Sequence, residues 1–332
     1  MTQIIAEIAQ AHEGSLGIAH SYIDALAKCG VDVIKFQTHI AAAESSEFES
    51  FRVKFSYEDA TRFDYWKRME FTADQWAGLK KHCEDLSIEF MSSPFSIAAV
   101  ELLEKLNVSR YKIGSGEMAN YLMLQKIAET GKPIILSSGM SDFKELDETI
   151  SFLSKWNNEL SLLQCTTAYP TQPEEWGLKM IPILKQRYNF PIGFSDHSAD
   201  IFAGLAATTL GADILEFHVV FNHSMFGPDA NASLTIEQTA MLVEGVRKID
   251  TSMSTNYSKD NIEKYNDLKV LFGKSLTTKH TVRQGNTVVF NDLEASKPGN
   301  KGISAKHFEQ ILGKKWVHDL PSHHFINEQD FE

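Results

Sequence analysis

Eight times within residues 1–250 a short apolar, β-branched run is followed by a helical stretch, and this alternation limits the fold more than any other feature of the chain. Ile4–Ile8 precedes a helix over Ile18–Cys29. Val31–Phe36 precedes a long irregular stretch and a helix near Ala73–Leu86. Ile88–Met91 then leads to Ile97–Leu106, Arg110–Ile113 to Tyr121–Thr130, Pro133–Leu136 to Phe143–Lys155, and Leu160–Gln164 to Glu174–Arg187. Phe190–Phe194 precedes Ile201–Leu210, and Ala212–Leu215 precedes Thr235–Ile249. Strands separated by helices pair in parallel, and eight such units predict a TIM (β/α)8 barrel in the α/β class. An open doubly wound sheet is the alternative, but no Gly-rich dinucleotide fingerprint follows the first strand.

The chain has 332 residues, more than a barrel of about 250 needs, so a second module is expected. After 1–250 the polar stretch Thr251–Asn261 and a short helix over Ile262–Leu271 form a linker ending at 273. From 274 to 332 the pattern changes to short β pieces: Ser275–Val282, a turn at Gln284-Gly-Asn286, Thr287–Phe290, then a short helix near Phe308–Leu312. A net charge of −12 argues against nucleic acid or an anionic membrane surface as partner, though not against a small anion held by a few lysines. Three cysteines without metal-knuckle spacing, no signal-like N-terminus and no membrane-length apolar run give the expectation of a cytoplasmic protein.

The chemistry is carried by the strand ends, where a parallel barrel places its active site. They bear Glu7; Lys35 and Gln37; Ser92 and Ser93; Lys112, Ser115 and Glu117; Ser137 and Ser138; Thr166, Thr167 and Tyr169; Ser195, Asp196 and His197; Glu216 and His218. Lysines inside apolar strands are costly unless paired. Lys35 and Gln37 are two apart and share a face. Lys112 lies in Tyr111-Lys-Ile-Gly-Ser-Gly-Glu117, where Gly114 and Gly116 leave backbone N–H groups free to approach an anion beside Ser115. Two lysines with a ring of hydroxyls point to a phosphate or carboxylate pocket; the bland alternative is that each lysine pairs with Glu7 or Glu117. His197 and His218, ending neighbouring strands, are placed to share a divalent metal. Cys165 reads as a small buried residue. The aromatic, charged stretch Phe51–Glu70 is an insertion, a lid or a dimer contact.

Several of these segments resemble the sialic acid synthase family: Glu7-Ile-Ala-Gln-Ala-His-Glu-Gly14, Ile34-Lys-Phe-Gln-Thr-His39, Ser92-Ser-Pro-Phe-Ser96, Tyr111-Lys-Ile-Gly-Ser-Gly-Glu117, Ser137-Ser-Gly-Met140, Cys165-Thr-Thr-Ala-Tyr-Pro170, Phe194-Ser-Asp-His197, Glu216-Phe-His218 and Gly227-Pro-Asp229. Lys297-Pro-Gly299 and Ile311-Leu-Gly-Lys314 resemble that family's antifreeze-like (SAF) domain. The resemblance implies a metal-dependent condensation of phosphoenolpyruvate with an N-acylated hexose, such as N-acetylmannosamine, to a nine-carbon 2-keto acid and phosphate. It implies manganese (magnesium or cobalt as substitutes) on His197 and His218, and Glu7 and Glu117 as acid/base carboxylates. The phosphoenolpyruvate pocket would be Lys35, Ser93, Lys112, Ser115, Ser137, Thr167 and Ser195, with Gln37, Tyr169 and Asp229 on the sugar. It further implies a domain-exchanged homodimer in which Lys297 reaches the partner's sugar. Three positions depart from the family pattern: Ala11 and Thr167 each stand where Asn is usual, and Lys297 where Arg is usual. The rival readings are a keto acid synthase acting on a phosphorylated aldose, a metal-dependent sugar isomerase, and a carbohydrate-binding scaffold without activity.

Overall fold

The computed structural model describes residues 1–53 and 56–332; Lys54 and Phe55, in the aromatic insertion, lie outside the described residues. The chain divides into two compact units, Met1–Thr255 and Asn256–Glu332.

In the first unit the expected strands form at β1 (Gln3–Ala9), β2 (Val33–Thr38), β3 (Glu89–Pro94), β4 (Tyr111–Ile113), β5 (Ile134–Ser137), β6 (Leu160–Cys165), β7 (Ile192–Asp196) and β8 (Ile214–Val220). They run parallel in the order β3-β2-β1-β8-β7-β6-β5-β4, and the two ends of that path, β3 and β4, lie against each other. The sheet therefore closes as a TIM barrel.

Strand alternation sorts every side chain. Ile4, Ala6, Ile34, Phe36, Tyr111, Ile134, Leu162, Phe194, Leu215 and Phe217 point outward and build the main core against the helices. The opposite face supplies a separate inner cluster of Ile5, Val33, Met91, Ile135, Leu163 and Ile214. Gly193 belongs to the same layer. A Cβ there would come within 2.4 Å of the Ile214 carbonyl and 2.5 Å of Leu163, so only glycine lets β7 pass this crowded level.

Helix ends follow local chemistry. Ser15, Thr72, Ser96, Asn120, Asp142 and Thr235 each accept a backbone N–H at an N-terminus. The helix expected over Glu174–Arg187 is shorter: a 3-10 turn at Pro173–Glu175 is followed by a helix only from Met180 to Arg187. Gly177, at φ +68°, interrupts it, and a Cβ there would strike the Gln164 amide at 2.4 Å. At the other extreme, the helix after β8 runs Ile236–Ser254, past its expected end at Ile249. A capping box at Thr235 and Gln238 starts it.

The second unit holds a helix at Asn266–Phe272 and an antiparallel pair, Ser275–Thr278 with Leu293–Ser296. Its own small core is Leu276, Val282, Val288, Ile311, Trp316, Leu320 and Ile326. The expected strand over Ser275–Val282 stops at Thr278. Thr287–Phe290 contributes one bridge, Thr287 to Lys315, and the helix expected at Phe308–Leu312 is a 3-10 segment over Ala305–Gln310.

Candidate active site

Two residues beyond each member of the inner apolar layer stands a polar one. Ile5 leads to Glu7, Val33 to Lys35, Met91 to Ser93, Ile135 to Ser137, Leu163 to Cys165, Gly193 to Ser195 and Ile214 to Glu216. Lys112 fills the place on β4. All eight line one cavity of about 430 Å³ at the carboxyl ends of the strands. The apolar layer is its floor, and this ring is the first level open to a ligand. The period of two that puts Ile5 inside necessarily puts Glu7 inside, one layer up. The next level of the same faces carries Gln37, Thr167, His197 and His218.

Ser92, Ser138, Thr166 and Asp196, also at strand ends, lie on the other parity and outside this cavity. Ser92 hydrogen-bonds with Thr38 at 2.7 Å, Ser138 donates to the Leu163 carbonyl at 3.1 Å, and Thr166 donates to the Glu175 carbonyl at 2.6 Å.

Charge in the ring is balanced internally. Lys35 contacts Glu7 and lies 3.8 Å from Glu216, and Lys112 lies 3.2 Å from Glu216. The lysines are thus paired, as the bland reading expected, but with Glu7 and Glu216 rather than Glu117. Lys35 donates to Ser93 at 3.3 Å, Lys112 to Ser137 at 2.6 Å, and Ser195 to Glu216 at 3.1 Å. Burial draws the Lys35 ammonium down to about 7, against the pull of Glu216. Burial pushes Glu216 up, but Lys112 and Lys35 together override it and hold the carboxylate low. One oxygen of Glu216 is buried without a hydrogen bond among the described residues, 3.8 Å from Lys35, while both oxygens of Glu7 are engaged, one by Lys35 and one by the Ala9 N–H. A bound molecule can use that Glu216 oxygen.

Glu117 sits on a 3-10 turn, Ser115–Glu117, and accepts from Asn120 at 2.8 Å. Burial raises its pKa more than this bond lowers it. The glycines of this turn are not what crowds the wall. A Cβ on Gly114 or Gly116 would meet only ordinary contacts, at 4.0 and 3.8 Å. One on Gly139 would lie 2.3 Å from the Thr167 hydroxyl and 2.6 Å from that of Ser115, which accepts the Gly139 N–H at 3.0 Å.

The two histidines come together with ring centroids 5.2 Å apart, Tyr169 covering them at 4.2 and 6.1 Å. His197 Nδ1 donates to the Thr166 carbonyl at 2.9 Å, which leaves Nε2 as its lone-pair nitrogen. Burial, reinforced by neighbouring His197 and the lysines, keeps His218 well below the ordinary histidine range and so neutral, whereas at His197 burial is overridden, chiefly by Cys165, and the value is raised. Neutral imidazoles are the ligating form, and the donor set fits a divalent ion. Among the described residues no three His, Cys, Asp or Glu side chains converge as ligands, so such an ion would take its other positions from water and substrate.

Asp229 is bridged by Arg52 at 2.8 Å, and the same guanidinium lies 4.2 Å from the centre of the Tyr169 ring. Burial raises Asp229 against the pull of Arg52. Every expected site residue of the first unit lines the cavity; Lys297 belongs to the second unit, where its ammonium lies 5.0 Å from the Phe272 ring. The outer wall comes from His39, Glu44 and Glu49, to which sequence reasoning gave no role, and from Arg52, Arg62 and Trp66 of the stretch expected to be a lid or a dimer contact. Glu216 was missed too, although its spacing of two from His218 was a sufficient signal.

The chain is similar to known synthases over most of its length. The chain is 33% identical to the N,N'-diacetyllegionaminic acid synthase of Campylobacter jejuni, over 94% of this chain and 95% of that one. It is also 33% identical to the human N-acetylneuraminate-9-phosphate synthase, over 94% of this chain and 88% of that one. A crystal structure of the N-acetylneuraminic acid synthetase of Leptospira borgpetersenii, in complex with citrate, superposes with a TM-score of 0.70 at 28% identity, covering 81% of this chain and 92% of that one. The NeuB family profile matches residues 22–258, and the chain belongs to the NeuB family.

Proposed function

We propose that the protein condenses phosphoenolpyruvate with an N-acylated hexose, such as N-acetylmannosamine, to give a nine-carbon 2-keto acid and phosphate. The observation that carries this reading is the polar ring: two buried lysines, three serine hydroxyls and two carboxylates on an apolar floor. Phosphoenolpyruvate brings two anionic groups, and Lys35 and Lys112, with Ser93, Ser137 and Ser195, offer two cations and their donors. An anion arriving there competes with Glu7 and Glu216 for the lysines. It leaves those carboxylates beside the carbon that becomes positive.

In the reaction C3 of the enol attacks the aldehyde carbon, the C2=C3 pair becoming the new C–C bond. C2 then carries oxocarbenium charge, which the Glu7 and Glu216 carboxylates stabilise. Water adds at C2 and Glu117 takes its proton; the new C2 hydroxyl then collapses to the ketone as the C2–O bond to phosphate breaks, its proton being released, and the alkoxide left on the former aldehyde carbon takes up a proton. A carboxyl raised by burial suits that step, because it holds a proton closer to neutrality than a solvated one. His197 and His218 hold a divalent ion, which we read as manganese with magnesium or cobalt as substitutes. When bound it supplies Lewis-acid polarisation of the aldehyde oxygen.

The test is inorganic phosphate release from phosphoenolpyruvate with N-acetylmannosamine, a panel of other N-acyl hexoses and a phosphorylated aldose, each with added manganese. Release with an N-acyl hexose is expected. Release with none of them overturns the reading, and release with the phosphorylated aldose alone replaces it. Full turnover after metal stripping would remove the ion from the mechanism.

We further read the enzyme as a cytoplasmic, domain-exchanged homodimer in which Lys297 serves the partner's sugar site. The free cysteines Cys29, Cys83 and Cys165 support a reducing compartment. The exposed Leu268, Leu271 and Phe272, the last with Lys297 over its ring, support a covered face. Co-refolding an inactive His197→Ala chain with an inactive Lys297→Ala chain should restore activity, and no recovery would refute action in trans.

A further inference from the structure

His39 has no part in the reaction as written, yet it is built into the pocket wall with unusual completeness. Its ring is stacked between Trp66 and Phe95, with centroids 3.8 and 4.4 Å away and planes within 18° and 17°. Its Nδ1 lies 2.7 Å from an oxygen of Glu44, whose side chain is itself buried. On its other side, Nε2 lies 2.8 Å from the Gln10 amide nitrogen and 3.1 Å from the Gln37 amide oxygen. The Gln10 nitrogen also donates to that Gln37 oxygen. Gln10, Gln37, His39 and Glu44 all line the cavity.

These contacts leave little choice of proton positions. A carboxylate only accepts, so the Nδ1 facing Glu44 carries a proton. With Nε2 unprotonated, one Gln10 N–H enters its lone pair and the other goes to the Gln37 oxygen. With Nε2 protonated, it donates to the Gln37 oxygen directly. In both states the oxygen of Gln37 is engaged inside the wall, and its NH2 group is the end left for the cavity.

We propose that Glu44 and His39 are positioning residues which, with Gln10, hold the Gln37 carboxamide so that its NH2 donors face the acceptor sugar and select a sugar oxygen that accepts hydrogen bonds there. This rests on the sugar reading of the pocket given above. Freed from the relay, the amide can turn, and it then offers an acceptor where the substrate also presents one. Desolvated groups facing each other without a proton between them are what makes such a site discriminate.

Two measurements test this. Nitrogen NMR of full-length protein labelled at histidine, with the His39 signals identified by their loss in His39→Phe, should show Nδ1 protonated; a bare Nδ1 overturns the proposal. Steady-state kinetics of Glu44→Gln should show the KM for N-acetylmannosamine rising about tenfold while that for phosphoenolpyruvate moves less than about twofold. His39→Phe, which keeps an aromatic ring in the stack, should give the same split. Equal changes in both KM values, or none, would mean that the cluster only supports the fold and would overturn the proposal. If wild-type protein releases no phosphate with any acceptor, the functional reading fails, and the NMR result then decides the relay alone.

Discussion

The ring inside the barrel and the wall supplied by the insertion meet in one pocket, but they hold their side chains by different means. In the ring, position follows from backbone register: Glu7 stands opposite Lys35 on β2 and His218 on β8, Gln37 opposite Ser93, and Ser195 opposite Glu216. The sheet's hydrogen bonds fix those pairs whatever the side chains do. Among the described residues of the segment 38–72 there is only a four-residue helix at Ala41–Glu44 and an eight-residue one at Arg62–Met69. Its geometry comes instead from side chains. The His39 stack and the Trp66 bond to Glu49 hold the inner face, and Arg68 holds the outer one through Asp59 at 2.8 Å and Glu13 at 3.0 Å. The ring is thus set by the backbone, and the outer wall by contacts that substitution can retune without disturbing the sheet.

The largest expected effect is in the ring. Lys112→Met leaves the buried Glu216 with a distant Lys35 and one serine, and breaking a buried ion pair costs roughly 3–5 kcal/mol. Denaturant unfolding should show that loss, and the KM for phosphoenolpyruvate should rise about ten- to a hundredfold. A stability change within about 0.5 kcal/mol, the size of an ordinary surface substitution, would show that the ring is not held as described. Next comes Gly139→Ala, which forces the Thr167 and Ser115 hydroxyls apart at a cost of about 1–3 kcal/mol. It should weaken phosphoenolpyruvate more than the sugar, and the reverse would place this wall on the acceptor side.

The insertion should respond differently. Arg68→Leu removes its tie to Glu13 and its bidentate bond to Asp59, yet Arg68 is a quarter exposed and no barrel strand depends on it. Global stability should fall by only about 1 kcal/mol, while the KM for the acceptor rises and that for phosphoenolpyruvate stays near wild type. A global loss as large as that of Lys112→Met would erase the distinction between the two regions.

The same difference governs what could be read from sequence. Eight strands and their ends were legible because period two survives in residues such as Ile5 and Glu7 or Val33 and Lys35, and the strand order followed from chain order. Which strand-end serine faces inward was separated only by the family resemblance, which named Ser93 and not Ser92; chemically the two are alike, and only parity distinguishes them. Glu216 passed for a rim residue because its worth lies in a meeting with Lys112 from the opposite side of the barrel, four strands away. His39, Glu44 and Arg52 carried no periodic signal; they converge through stacking and ion pairs that no local pattern encodes. In the second unit, isolated bridges such as Val282 to Leu320 replace the regular strands that apolar runs imply.

The smallest expected effect isolates the insertion's outer tie by pH. Burial raises Glu13 from an ordinary carboxyl value of 4.5 to about 7, with Arg68 pulling the other way and Asp59 and Glu58 adding to the rise. One of its oxygens is buried without a partner among the described residues, close to where Gly227 passes. Because the folded pKa lies above the unfolded one, the folded state binds the extra proton between about 4.5 and 7, and this group's contribution to stability falls as pH rises through that window. Below it Glu13 is neutral in both states; above it the ionised carboxylate carries its full burial penalty. Glu13→Gln removes the titration and keeps a hydrogen-bonding side chain of the same length. The variant's stability relative to wild type should therefore climb from about pH 5 to about pH 7 and level off above, as measured by urea unfolding at each pH. A relative stability that falls over the same interval would mean that Arg68 dominates, and that the insertion is held by an ordinary ion pair.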